Sequence, residues 1–264
     1  MKVFFADLDG TLLNDNKVVT DRTFKALCAF IKRGNKFAIC TGRPINSALQ
    51  IFESLNLPFE RSYVIAYNGA QIYDCERKKT VFRAEVPLDL TASIFELADF
   101  YHVHCQTYTD THIISKEDNE CVEYYRRHIY MPLITVDNVL EKLLVPPCKV
   151  MAIELHNHSR LEEFRLALEK EIGRKLKFQY SNPNYLEIFS ADVDKGKAVY
   201  KLCDIMKISY KDTIAAGDEQ NDVSMIKAAG MGIAMCNGGR EARLAADVIT
   251  EEDNNHDGLV PFLM

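Results

Sequence analysis

The residues able to do chemistry in this chain gather where apolar runs stop. The run at 3–6 leads straight into Asp7, Leu8, Asp9, Gly10 and Thr11. Such a run so near the N-terminus reads as a buried strand, and carboxylates two residues apart on an extended chain point to the same side. Two like charges that close push one pKa up unless a cation sits between them. A hard divalent ion such as Mg2+ takes oxygens from one or two carboxylates, from waters and from a substrate phosphate. Asp218, directly after the apolar run 213–217, is placed to supply a further carboxylate, with Asp222 one helical turn on. The plainer reading, two loop carboxylates capping the next turn, does not account for their place at a buried strand end with Gly10 to free the backbone.

Thr41-Gly42, after the run 36–40, offers a hydroxyl and exposed backbone N–H groups ahead of a helix, a natural cradle for phosphate. Lys195, in "DVDKGKAV", adds a positive charge at a helix start, with a solvated surface lysine as the alternative and Lys197 competing for the role. With these parts Asp7 would act as nucleophile, forming an aspartyl-phosphate and splitting hydrolysis into two easier displacements. Asp9 would protonate the leaving oxygen and later deprotonate the attacking water, which calls for a pKa shifted toward neutrality. Mg2+ and Lys195 would neutralise charge on the transferring phosphoryl group.

The elements that must position these groups alternate between strand and helix. Between the first two strands, 21–34 reads as a helix with Phe24, Leu27, Cys28 and Ile31 on one face and Gly34 at its end. Pro44 suits a first helical turn, and Leu49, Phe52 and Leu55 continue that periodicity. The run 63–69 again ends in a polar residue and glycine, Asn68-Gly69. After 190 the pattern resumes: helix 195–207, strand 213–217, helix 221–229, strand 232–235, a short helix from 239, strand 247–250 and a last helical turn. Alternation of this kind implies a parallel sheet wrapped by crossovers, with ligands bound beyond the carboxyl ends of its strands. The middle of the chain differs. A helix carries Leu90, Ile94, Leu97 and Tyr101, short strands fall near 102–108 and 111–115, and strand 149–155 precedes a helix with Leu161, Phe164, Leu168 and Ile172. A hairpin around Asn182-Pro183-Asn184 closes it. The expected fold is α/β, a Rossmann-like parallel-sheet core (1–82 and 191–264) with an inserted α+β cap (83–190).

Bulk composition narrows the function classes. The 264 residues are 47% hydrophobic and 27% charged, ordinary for a globular protein with ample core. A net charge of −6 without a basic stripe argues against nucleic acid. The eight cysteines are scattered singly, mostly in apolar runs, as small buried hydrophobes in a reducing compartment. Met1-Lys2 leads directly into the first strand with no signal peptide, and no run reaches the roughly 20 apolar residues of a membrane span. A cytoplasmic protein, monomer or weak dimer, is expected, and the sequon at 157–159 is then without meaning.

In order along the chain, "DLDGTL" (7–12), "TGR" (41–43), Lys195-Gly196 and "GDEQND" (217–222) resemble the four motifs of the haloacid dehalogenase superfamily of phosphohydrolases. The large insert between the second and third motifs, with "YNGA" (67–70) before it, is similar to the α/β (type IIB) cap of Cof-type sugar-phosphate phosphatases, and the resemblance extends to "HDGLVPFL" (256–263). It implies Asp7 as nucleophile and Mg2+ ligand, and Asp9 as acid/base that also binds Mg2+ through its backbone carbonyl. It implies phosphate contacts from the Leu8 backbone, Thr41, Gly42, Lys195 and Asn221, and places Arg43 and Asn68 close to substrate. Asp218 matches the remaining protein ligand of the metal and Asp222 a residue that orients its surroundings. Glu219 stands where the fourth motif usually has Ser, adding negative charge. The implied substrate is a small phosphorylated metabolite, with specificity set by cap residues such as His104, Tyr108, His112 or Glu187.

Competing signals are weaker. "AGMGIAM" (229–235) lacks the last glycine of a dinucleotide fingerprint, and no P-loop motif exists. His102/His104 and His156/His158 alternate as strand pairs do, yet no cysteine lies at ligand spacing, so solvent-facing strand histidines are preferred to a zinc site. Tyr124-Tyr125 and Phe95/Tyr101 read as core or cap surface, and 75–80 as a charged hairpin turn. A phosphomutase like the phosphomannomutases is the alternative activity. A phospho-acceptor receiver is disfavoured by chain length and by the cap, and a silent binding protein by the intact chemical positions.

Overall fold

The computed structural model describes residues 1–58 and 60–264. In chain order the first elements are β1 (Val3–Ala6), α1 (Asp21–Lys32), β2 (Lys36–Cys40), α2 (Ile45–Ser54), β3 (Ser62–Ala66), β4 (Gln71–Asp74) and β5 (Lys79–Arg83). The inserted segment follows: α3 (Leu88–Tyr101), β6 (His104–Tyr108), β7 (Ile113–Ser115), α4 (Glu120–Arg126), β8 (Leu133–Thr135), β9 (Val150–Ile153), α5 (His158–Ile172), β10 (Leu176–Asn182) and β11 (Tyr185–Ser190). The chain returns through α6 (Lys195–Met206), β12 (Thr213–Gly217), α7 (Val223–Ala228), β13 (Met231–Ala234), α8 (Arg240–Ala245), β14 (Val248–Ile249) and α9 (Val260–Leu263). Two compact units result, one of residues 1–43, 48–82 and 194–264, the other of 44–47 and 83–193.

The first unit is built on a sheet in the order β14-β13-β12-β1-β2-β3-β4-β5. From β14 to β3 neighbouring strands run parallel, and β4 pairs antiparallel with β3. Strands buried on both faces read as continuous apolar runs, and β1, β3 and β12 are buried at every position. The chain leaves β1 toward β2 and β3 on one side and later returns on the other through β12, β13 and β14. The strand order therefore reverses beside β1, the place where parallel sheets open a crevice for ligands.

Local signals set most of the boundaries. Thr20 caps α1 by accepting from the Thr23 N–H, and Gly34, at φ +89, takes the left-handed turn beyond its end. The buried face of α1 is turned from the expected one, sharing Leu27 and Ile31 with it. Thr23, Leu27, Phe30 and Ile31 are buried, while Phe24 and Cys28 are partly exposed. Both sets keep helical spacing, and the Phe30 ring meets Phe4 edge-on at 6.0 Å, a long-range contact that selects between them. The expected helix 221–229 starts as a 3-10 turn over 220–222, because the Asp222 carboxylate takes the backbone N–H groups of Asp218 and Glu219.

The second unit carries a sheet ordered β10-β11-β9-β6-β7-β8. Its pairings are antiparallel except for β7 with β8, a strand the sequence had not shown. One face packs on α3 and α5 through Ile94, Phe95, Leu161, Phe164 and Leu168. On α3 the buried stripe is Thr91, Ile94, Phe95 and Ala98, with Leu90, Leu97 and Tyr101 flanking it. The expected strand histidines are not a strand set. His102 ends α3 in the left-handed conformation, and His158 opens α5. Of the residues considered for specificity, His104 and Tyr108 share one face of β6 and Glu187 sits on β11, paired with buried Lys149 at 3.0 Å. His112 lies in the β6–β7 loop, its Nδ1 2.8 Å from Thr111 Oγ1.

Phe164 has no exposed surface and sits in the middle of that apolar layer. Phe164→Ala should cost about 3–5 kcal/mol, read as a lowered urea midpoint for the inserted unit. A shift under about 1 kcal/mol would mean the layer closes over the gap.

Candidate active site

Asp7 follows β1, Asp218 follows β12 and Thr41 follows β2, so these groups share the carboxyl edge of adjacent strands. The Asp7 N–H still donates to Ala216 O at 3.0 Å, which fixes its backbone in the crevice between β1 and β12. Lys195 is the first residue of α6, and its side chain is wholly buried. Its Nζ lies 2.6 Å from Asp7 Oδ1 and 2.6 Å from Asp222 Oδ1. The second oxygen of Asp222 accepts from the N–H groups of Asp218 and Glu219, each at 3.0 Å. Thr11 Oγ1 donates to Asp218 Oδ1 at 2.6 Å.

Carboxylate oxygens of Asp7, Asp218 and Asp222 lie within 4.8 Å of one another, the one such acidic group among the described residues. Asp222 has both oxygens engaged, so its place is to anchor Lys195 and the 218–219 backbone. Among the described residues, Oδ2 of Asp7 and Oδ2 of Asp218 have no hydrogen-bond partner. Two free carboxylate oxygens on buried neighbours suit a hard divalent cation. Gly10 makes the cradle: its φ is +81°, and a Cβ there would lie 2.3 Å from Asp218 Oδ2.

Charge and burial explain the protonation equilibria. Burial, reinforced by the Asp222 and Asp218 charges and opposed by Lys195, raises Asp7 well above the usual carboxylate range. Burial also pushes Asp218 up to about 6, against the Thr11 hydrogen bond. Lys195 is raised although burial opposes it, because Asp222 and Asp7 stabilise its charge. Lys197, its competitor in the sequence, is exposed, with its backbone N–H on the capping Asp194 carboxylate.

Asp9 departs from expectation. The strand ends at Ala6, so its carboxylate does not join that of Asp7 on one side; like charges part where the backbone allows. Arg43 grips it through Nε to Oδ2 at 3.0 Å and Nη2 to Oδ1 at 3.1 Å, and Lys17 Nζ reaches Oδ1 at 2.7 Å. Burial pulls the other way, yet these cations hold Asp9 below its ordinary pKa, opposite to the shift toward neutrality expected of an acid/base.

Thr41 and Gly42 also differ in detail from an open backbone cradle. The Thr41 N–H is spent on Ile65 O at 2.9 Å, and α2 begins only at Ile45. The Thr41 hydroxyl accepts the Arg43 N–H at 3.2 Å, leaving its own proton to donate. Asn68 stands in the left-handed region at φ 54°, with its backbone N–H on Thr41 O. Its Oδ1 takes the Asn221 amide at 3.1 Å, and a Cβ on Gly42 would lie 3.0 Å from the same atom. Thr41, Gly42, Asn68 and Asn221 thus form one polar group. Leu8 contributes backbone alone, since its side chain is fully buried. Glu219 is exposed and outside the acidic group. Sequence reading had missed Thr11 as the group orienting Asp218, although it lies inside "DGTL", and Lys17, which no local pattern singles out.

Above the ordinary carboxylate value of 3.8 the metal-free folded state keeps protons on Asp7 and Asp218 that the unfolded chain releases. Stability contributed by these groups therefore falls as pH rises from about 4 through 6 and beyond. Asp9, shifted down, adds stability above 3.8 that is lost only in stronger acid. The melting temperature of metal-free protein should drop between pH 5 and pH 8 more in the wild type than in Asp7→Asn. Equal slopes would show that Lys195 alone keeps Asp7 ionised.

The chain matches the family of haloacid dehalogenase-like hydrolases over residues 4–263. It is 32% identical over 261 residues to YxeH of Bacillus subtilis (strain 168), provisionally named a phosphatase, covering 97% of this chain and 94% of that one. Pyridoxal phosphate phosphatase YbhA of Escherichia coli (strain K12) is 25% identical, with 99% and 97% covered. A haloacid dehalogenase-like hydrolase from Bacteroides thetaiotaomicron superposes with a TM-score of 0.91 at 26% identity, covering 99% of this chain and 98% of that one. With its acidic cluster at the strand ends of a parallel sheet, this chain belongs to the haloacid dehalogenase-like hydrolases, as a phosphatase of the Cof type.

Proposed function

We propose that the protein is a Mg2+-dependent phosphatase releasing phosphate from small phosphorylated metabolites, sugar phosphates foremost, with Asp7 as nucleophile. The observation that carries this reading is the buried Lys195 ammonium shared by Asp7 and Asp222, beside an Asp218 that keeps one oxygen unengaged. Asp7, Asp218 and the Asp9 carbonyl are the groups to hold the ion, which when bound would offset charge on the phosphoryl group and align it with Asp7. Lys195 orients Asp7 through Oδ1, and Asp222 fixes Lys195 in turn. The Thr41 hydroxyl, with Gly42 and the Asn68–Asn221 pair, receives the phosphate oxygens, and the Leu8 backbone lies beside them. Arg43 and Asp9 stand where the leaving group departs. Asp9 gives a proton to the leaving oxygen and takes one from the water that cleaves the aspartyl-phosphate.

Relatives support small phosphorylated substrates. One of them, from Bacillus subtilis (strain 168), is a 5-amino-6-(5-phospho-D-ribitylamino)uracil phosphatase, 27% identical over 284 residues. The net charge of −6 fits a metabolite substrate better than nucleic acid. Among the described residues no helix is long and apolar enough to cross a membrane. A cytoplasmic enzyme, monomeric or weakly dimeric, with residues 83–190 acting as the specificity cap, completes the reading.

Mutating Asp7 to Asn should abolish Mg2+-dependent phosphate release across a panel of sugar phosphates, measured as inorganic phosphate. Turnover retained by that variant defeats the mechanism, and isomerised sugar phosphate without free phosphate would point to a mutase instead. Mg2+ should raise the melting temperature of the wild type and do so less in Asp7→Asn.

A further inference from the structure

The loop between β1 and α1 carries a device that none of the motifs accounts for. Lys17 is 61% exposed, which for an isolated ion pair means little energy. Its backbone is nevertheless in the left-handed region, at φ 59°, an uncommon conformation for a residue with a Cβ. Asn14 closes the loop from inside: its Oδ1 accepts from Asn16 N–H at 3.0 Å and Val18 N–H at 3.2 Å, and its carbonyl takes the Lys17 N–H at 2.9 Å.

The C-terminal segment pins the loop from outside. Asn254 Nδ2 donates to Leu13 O at 2.9 Å, and Asn255 Oδ1 accepts the Asp15 N–H at 3.0 Å. The Asp257 carboxylate accepts from the Thr20 hydroxyl and, at 3.2 Å, from Thr23 Oγ1. Residues on both sides of Lys17 are thus fixed by a segment more than two hundred positions away in the chain. The side chain so delivered adds a donor to Asp9 Oδ1, the oxygen Arg43 Nη2 also reaches. A carboxylate held by cations on both oxygens cannot turn about its Cβ–Cγ bond without losing contacts at each.

We propose that Lys17 is a positioning residue for Asp9, and that the stretch 254–257 exists in part to hold the loop that presents it. The proposal rests on the phosphatase reading, in which Asp9 handles the proton of the leaving oxygen. Correct orientation of a proton donor matters most when the leaving group cannot depart without that proton.

The test compares kcat/KM, which reports the step up to departure of the leaving group, on a hexose 6-phosphate and on p-nitrophenyl phosphate, whose phenolate leaves unaided. Lys17→Met should lower kcat/KM roughly two- to fivefold on the hexose phosphate and by much less on p-nitrophenyl phosphate. Lys17→Arg should recover most of the loss, and Asn255→Ala should reproduce the same selectivity more weakly. Asp9→Asn, run alongside, should show the selectivity in stronger form. If Asp9→Asn is selective and Lys17→Met lowers both substrates equally, or neither, the positioning role is overturned while the phosphatase reading stands. If Asp9→Asn itself shows no selectivity, the acid/base assignment falls and takes the proposal with it.

Discussion

A fully buried ammonium is the constraint around which this molecule is arranged. Removing a lysine from water costs several kcal/mol unless counter-charges meet it at hydrogen-bond distance. Lys195 has two carboxyl groups at that distance, Asp7 from the end of β1 and Asp222 from the turn before α7. Those partners come from opposite ends of the chain, so the site closes only when the segment after the insert returns to the sheet beside β1. The packing enforces that return. A Cβ on Gly196 would lie 2.3 Å from Ser224 O, and one on Gly217 would lie 2.4 Å from the Asp222 Cβ. Both glycines let backbone approach where a side chain would keep the charges apart.

The same arrangement separates the two aspartates of the first strand end. Asp7 sits among other carboxylates with one cation, and burial favours its protonated form in the absence of a metal. Asp9, two residues on, sits between Arg43 and Lys17 and stays ionised. The two pKa values are pushed apart, but in the metal-free state the direction is the reverse of what a nucleophile and a proton donor require, since Asp7 is the raised one and Asp9 the lowered one. The turn at Gly10 makes this parting possible, since no residue with a Cβ fits its conformation against Asp218.

Much of this was legible in the sequence because the signals are local. Strands buried on both faces appear as unbroken apolar runs, and polar residues directly after them mark the edge where ligands bind. Asp7, Asp218 and Thr41 come out of that rule without any knowledge of packing. On α1 and α3 periodicity alone placed the buried stripe partly off its true position, because the exact face depends on which strand side chain lies opposite. Phe4 against Phe30 decided the first. The alternating histidines misled for a related reason: an HxH pattern has the spacing of a strand, but His102 terminates a helix and His158 begins one.

What the chain determined by itself, then, was the fold class, the order of its strands and helices, and the acidic and hydroxyl groups at their ends, since each depends on residues within a few positions of one another. The tertiary structure alone decided which charges pair. Lys195 on Asp7 and Asp222, Thr11 on Asp218, and Lys17 with Arg43 on Asp9 are contacts between residues that spacing does not relate. Coulombic and hydrogen-bond energies depend on ångström distances, and those exist only after the sheet has brought distant segments side by side.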